Sequence, residues 1–140
     1  MKIFILEDDP GRVSQFIENS GNADVDVANT VELGMKIWNP PYDLVLLDHD
    51  LGGEQPVKST YKRTATERDY MSDNTGYDFV KWLVKHGNPK TDYIVVHSYN
   101  PDGAGNMLAL LFKHQFKAMR EPFGPRLLEF VRKLTHDEVI

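Results

Sequence analysis

"DLVLLDHDLGG", residues 43–53, is the stretch that decides the fold. Its four consecutive apolar residues, Leu44 to Leu47, read as a strand buried on both faces, as in the middle of a parallel sheet. The run stops at Asp48, His49 and Asp50 and then turns through Gly52 and Gly53. Bringing charge near a core is costly. Two carboxylates with an imidazole between them at the end of such a strand are therefore either an exit to solvent or a site.

Working outward, the same pattern repeats. "KIFIL" (2–6) reads as a buried strand that breaks at "EDDP", where Asp9 can cap a helix and Pro10 suits its first turn. That helix, about 10–20, carries Val13, Phe16 and Ile17 at helical spacing. "DVDVA" (24–28) alternates as an outer strand does. "NTVELGMKIW" predicts a second helix with Asn29 as cap and Glu32 three residues on, ended by "NPPY". Residues 52–74 are polar, lack periodicity and exceed an ordinary strand-to-helix loop. A third helix over about 75–86, a strand "YIVVH" (93–97), a helix over about 104–113 and a short strand at about 116–120 follow. After "EPFGP" the last helix carries Leu127, Leu128, Val131 and Leu134. Strands and helices in strict alternation predict a three-layer α/β fold. Its doubly wound, five-stranded parallel sheet has right-handed crossovers and helices on both faces. Residues 1–140 read as one domain with an enlarged loop at about 52–74.

Composition narrows the function class. Hydrophobic content of 41% and charged content of 26% are ordinary for a globular domain. A net charge of −5 gives no general attraction to duplex DNA or an anionic membrane. With no cysteine there is no disulfide, thiolate metal site or cysteine nucleophile. No apolar run is long enough to span a bilayer, and "MKIFILEDD" reaches acid too early for a signal peptide, so a cytoplasmic protein is expected. No DNA-binding effector is expected after the fifth helix.

In doubly wound sheets the site lies beyond the carboxyl ends of the strands. That rule gathers Glu7, Asp8 and Asp9, then Asp48 to Asp50, then His97 and Ser98. Carboxylates from neighbouring strand ends stay ionised together if a hard cation sits between them, and Mg2+ accepts two or three carboxylates plus a phosphate oxygen. The plain alternative is that these acids are solvated or cap helices, as Asp9 can.

"IFILEDDPGR", "YDLVLLDHDLGG", the Ser after "YIVVH" and "EPFGP" resemble, in order and over nearly the whole chain, the motifs of the receiver domain of response regulators. The resemblance implies a CheY-like, flavodoxin-type sheet of order 2-1-3-4-5. By it, Glu7 and Asp8 match the acid pair that holds Mg2+ with Asp48, Asp48 matches the phosphoryl acceptor, Ser98 the hydroxyl, and Gly76 the glycine after the acceptor loop. Where the family has a lysine this chain has Glu121, preceded by Arg120, which argues against ordinary phosphorelay. His49 and His97 stand where receivers carry apolar residues. Together with "LDHDLGG" and "HSYNPDGAG" they are similar to a narrower group, the cyclic-phosphate-processing receiver-like domains.

The expectation is a receiver-like phosphoesterase that binds and hydrolyses a cyclic or terminal phosphate of a nucleotide or RNA end with Mg2+. Glu7, Asp8 and Asp48 would hold the metal, with Asp48 alternatively the nucleophile. His49 and His97 would serve acid–base roles. Ser98, Asn100 and Arg120 would contact phosphate oxygens, and Lys58, Lys62, Arg63 and Arg68 of the inserted segment would close over the substrate, with Tyr61 or Tyr70 for stacking. Alternation aims His49 away from the metal unless the loop turns it back. Each residue also has a structural reading: a hydrogen bond for the histidines, a solvated loop for 52–74, a helix cap for "NPDGAGN". Two other functions remain open: a stand-alone receiver phosphorylated on Asp48 by a histidine kinase, and a degenerate receiver that only binds a protein partner.

Overall fold

Strand after strand, alternate residues enter opposite cores, as a sheet covered on both faces requires. The computed structural model describes residues 1–51, 75–86 and 91–137. The chain runs β1 (Lys2–Leu6), α1 (Pro10–Glu18), β2 (Asp24–Ala28), α2 (Val31–Ile37), β3 (Tyr42–Leu47), α3 (Gly76–His86), β4 (Thr91–Val96), α4 (Pro101–Lys113), β5 (Ala118–Arg120) and α5 (Pro125–Asp137). All pairings are parallel and the strand order is β2-β1-β3-β4-β5, as expected. Ile3, Ile5, Leu44, Leu46 and Val95 meet Phe16 of α1 and Leu127 and Val131 of α5 on one face. Phe4, Leu6, Val45, Leu47 and Val96 meet α2, α3 and α4 on the other. Phe4 anchors that second core, stacked on Phe79 at 5.4 Å and edge-on to Trp38 at 4.9 Å.

Local chemistry adjusts three of the expected ends. The cap of α2 is Thr30, which accepts from Leu33 N–H at 3.0 Å, and not Asn29. Burial of Val31 starts the helix directly after Thr30, so Asn29 and Glu32 form no capping box. Helix α4 begins at Pro101, three residues earlier than the apolar pattern suggests. Asn100 accepts from Gly103 N–H at 3.0 Å and Pro101 occupies the first turn. Strand β5 is confined to Ala118–Arg120, paired with Ile94–Val96. Among the described residues no helix is long and apolar enough to cross a membrane. Lys58, Tyr61, Lys62, Arg63, Arg68 and Tyr70 lie outside the described residues.

Candidate functional site

Registered strands place the site. Ile5, Leu46 and Val95 sit side by side across β1, β3 and β4. Two residues further along each strand the row on the same face becomes Glu7, Asp48 and His97. Asp48 N–H donates to Leu6 O at 3.1 Å and His97 N–H to Leu47 O at 2.9 Å, which carries the sheet to that point. All three are buried, with exposures of 1%, 4% and 0%. Their ligating atoms lie within 4.8 Å of one another, the arrangement a metal ion needs.

The electrostatics of the row follow from crowding. His97 Nε2 lies 2.9 Å from Glu7 Oε1, and Asp9 N–H donates to Glu7 Oε2 at 3.0 Å. Burial pushes the Glu7 carboxyl up, but these two hydrogen bonds and the Arg12 charge outweigh it and hold the group below the usual carboxylate value. An ionised Glu7 only accepts, so Nε2 is the protonated nitrogen of His97. Nδ1 of His97 is buried with no partner among the described residues. Burial pushes Asp48 up to about 6, and the charges of Glu7 and Asp50 push the same way. The His97 ring and the His49 N–H, 2.8 Å from Asp48 Oδ1, pull back only in part. Two carboxylates crowded this way suit a hard divalent cation, which would relieve the repulsion through oxygen donors. A Mg2+ ion fits Glu7 and Asp48 better than the imidazole, whose Nε2 is committed to Glu7.

The row borders an open cavity of about 430 Å3, walled by Asp8, Asp9 and Asp50 as well as Glu7 and Asp48. Arg12 and Tyr99 complete its described lining together with Pro10. Of the residues singled out from sequence, the acid pair and Asp48 are thus brought together, and His97 joins them from behind Glu7. Ser98 is buried, its hydroxyl accepting from Asn100 N–H at 3.0 Å. Asn100 caps α4 and its Nδ2 lies 3.4 Å from Asp50 Oδ1. Arg120 donates Nε and a terminal nitrogen to Ser98 O at 3.3 and 3.1 Å and does not line the cavity.

His49 takes a different place. One residue past Asp48, alternation turns it to the α4 side, where its Nδ1 meets Asp50 Oδ1 at 2.8 Å. Its ring lies against Gly103, where any Cβ would come within 2.5 Å of the imidazole. Gly76 is required for the same kind of reason: a Cβ there would stand 1.9 Å from Asp48 O. The ring of His49 therefore steadies Asp50 at the cavity wall. Arg12, Tyr99 and Asp50 were not assigned roles from sequence. Asp50 was legible as the second acid of "DHD", whereas Arg12 and Tyr99 meet only in the folded chain.

The sequence pattern described as the cyclic-phosphate processing receiver domain matches residues 2–113. No curated protein matches the chain. Among solved structures, the receiver domain protein (CheY-like) of Methanospirillum hungatei superposes with a TM-score of 0.59 at 19% identity, covering 99% of this chain and 95% of that one. The response regulator DrrB of Thermotoga maritima gives a TM-score of 0.58 at 18% identity over 98% of this chain, which spans about half (53%) of DrrB. The Mn(2+)-bound form of response regulator Rcp1 gives 0.57 at 14% identity, covering 95% and 90%. At these identities the likeness is one of fold.

Proposed function

This chain belongs to the cyclic-phosphate processing receiver family, and from that premise we propose that it binds and hydrolyses a cyclic or terminal phosphate of a nucleotide or RNA end with a divalent cation. The observation that carries the reading is the buried row of Glu7, Asp48 and His97 opening on an acid-walled cavity. Glu7 and Asp48, with Asp8 beside them, would hold Mg2+ or the Mn2+ that Rcp1 binds. Such an ion supplies positive charge to phosphoryl oxygens. Asp48 accepts from His49 through Oδ1 alone among its described hydrogen bonds. The Asp48 carboxylate, holding the cation through one oxygen, would take the proton of the attacking water through the other. The new P–O bond forms as the ester P–O bond breaks, and the leaving oxygen takes a proton from solvent at the open mouth. His97 acts through Glu7, fixing its orientation and charge, and is a positioning residue. His49 does the same for Asp50.

The test is incubation with 2′,3′- and 3′,5′-cyclic nucleotides, with and without Mg2+, followed by phosphorus NMR. Mg2+-dependent ring opening that falls at least about 100-fold in Asp48→Asn is expected. The reading is overturned if no cyclic phosphate is opened while acetyl phosphate leaves a labile phosphoryl group on Asp48. That result would make the chain a phosphorylated receiver, the second reading that the position of Asp48 favours.

A further inference from the structure

We propose that Arg12 is the group that grips phosphoryl oxygens in this cavity, its guanidinium held ready by an aromatic clamp of Tyr99 and Phe123. The inference rests on the cavity being a phosphate site and adds the residue that recognises the anion. Charge makes the first argument. Arg12 is the one cationic residue among the described lining, set among carboxylates that would repel any phosphate. A divalent ion on Glu7 and Asp48 offsets part of that repulsion, and an anion seated there still needs donors that match its oxygens. A planar guanidinium supplies them as a fork.

Geometry makes the second. The guanidinium carbon of Arg12 lies over the Tyr99 ring at 5.5 Å from its centroid and over the Phe123 ring at 5.4 Å. The Tyr99 hydroxyl donates to Phe123 O and ties the two rings together. Contacts of this cation–π kind draw on the charge of the guanidinium and do not consume its N–H donors. Its carboxylate neighbours are too distant for hydrogen bonds: Glu7 Oε1 is 3.7 Å from one terminal nitrogen and Asp9 Oδ2 is 4.0 Å from Nε. Those two acids steer the head electrostatically without using up its donors. The side chain remains 30% exposed, on the cavity side of a helix whose cap, Asp9, also accepts from Arg12 N–H at 3.2 Å. Arg120, by contrast, is spent on the Ser98 carbonyl.

The clamp separates this role from a structural ion pair. Calorimetric titration of the Mg2+-loaded full chain with inorganic phosphate and with a 2′,3′-cyclic nucleotide reads the anion, and a separate Mg2+ titration reads the acid row. Arg12→Gln is expected to weaken both phosphate probes roughly tenfold to a hundredfold, with Mg2+ affinity within twofold of wild type. Arg12→Lys keeps the charge without the planar fork of donors and should recover only part of the loss. The proposal is overturned if Arg12→Gln binds phosphate within twofold of wild type, if Mg2+ affinity falls in parallel, or if wild type binds neither probe. Phosphate bound through Arg12 with no cyclic ester opened would sustain this inference and sink hydrolysis. Hydrolysis unchanged in Arg12→Gln would do the reverse.

Discussion

Where the strands begin, Tyr42 is buried with its hydroxyl donating to Asp26 Oδ2 at 2.7 Å and accepting from Asn39 N–H at 3.0 Å. Where they end, Glu7 and Asp48 are equally buried yet face each other across a cavity walled by further acids, and His97 Nδ1 has no described partner. Both sets are gathered by one sheet, but Asp26 is only half-buried and Asn39 exposed, whereas Glu7, Asp48 and His97 are all buried. At the first end burial and the Asp26 carboxylate push the Tyr42 phenol up, so it stays neutral, and its polar atoms are paired. At the second end like charges are held together by the strand register, and nothing within the row neutralises them fully. The difference teaches that one end pairs its polar groups while the other crowds acids in the way the proposed cation site requires.

Three substitutions can break or sharpen that contrast. The largest expected effect is His97→Ala, which strips Glu7 of its buried donor and costs about 3–5 kcal/mol in urea unfolding; stability equal to wild type would remove the contrast. Next is Asp48→Asn, with the opposite sign. The Asp48 pKa is raised in the folded state, from 3.8 to about 6. Its contribution is therefore fully present below about pH 4 and lost as pH rises through about 6. In metal-free protein at pH 7–8 the Asn variant should be more stable by about 2–3 kcal/mol, with no gain below pH 4. Added Mg2+ should raise the melting temperature of wild type and not of the variant. The smallest is Tyr42→Phe, expected to lose about 1–2 kcal/mol, unchanged by Mg2+ and flat between pH 5 and 8 when melting curves are compared.

The layers and strand order were readable because a buried parallel strand announces itself in runs such as Leu44–Leu47, and the alternation of strands and helices leaves few ways to wind them. The gathering of Glu7, Asp48 and His97 at the strand ends was readable, but their alignment in one row, with His97 on Glu7, needed the strand register that only the folded sheet supplies. Arg12 was hidden because its partners come from residues 99 and 123, which no local pattern connects to α1. The start of α2 went to Thr30 over Asn29 because burial of Val31 decides between two adjacent residues that both make good caps. The orientation of His49 was foreshadowed by strand alternation, yet its seat on Gly103 depends on how α4 docks.

That seat ties together two stretches of chain that lie more than fifty residues apart. An imidazole at 49 is tolerated only while 103 lacks a side chain, and the bare helix turn at 103 is filled only while 49 is aromatic. Placing a side chain at 103 while His49 stays would create a collision, and shrinking His49 while Gly103 stays would leave a hole. Positions 49 and 103 should drift through evolution in step, like a key and the ward cut for it.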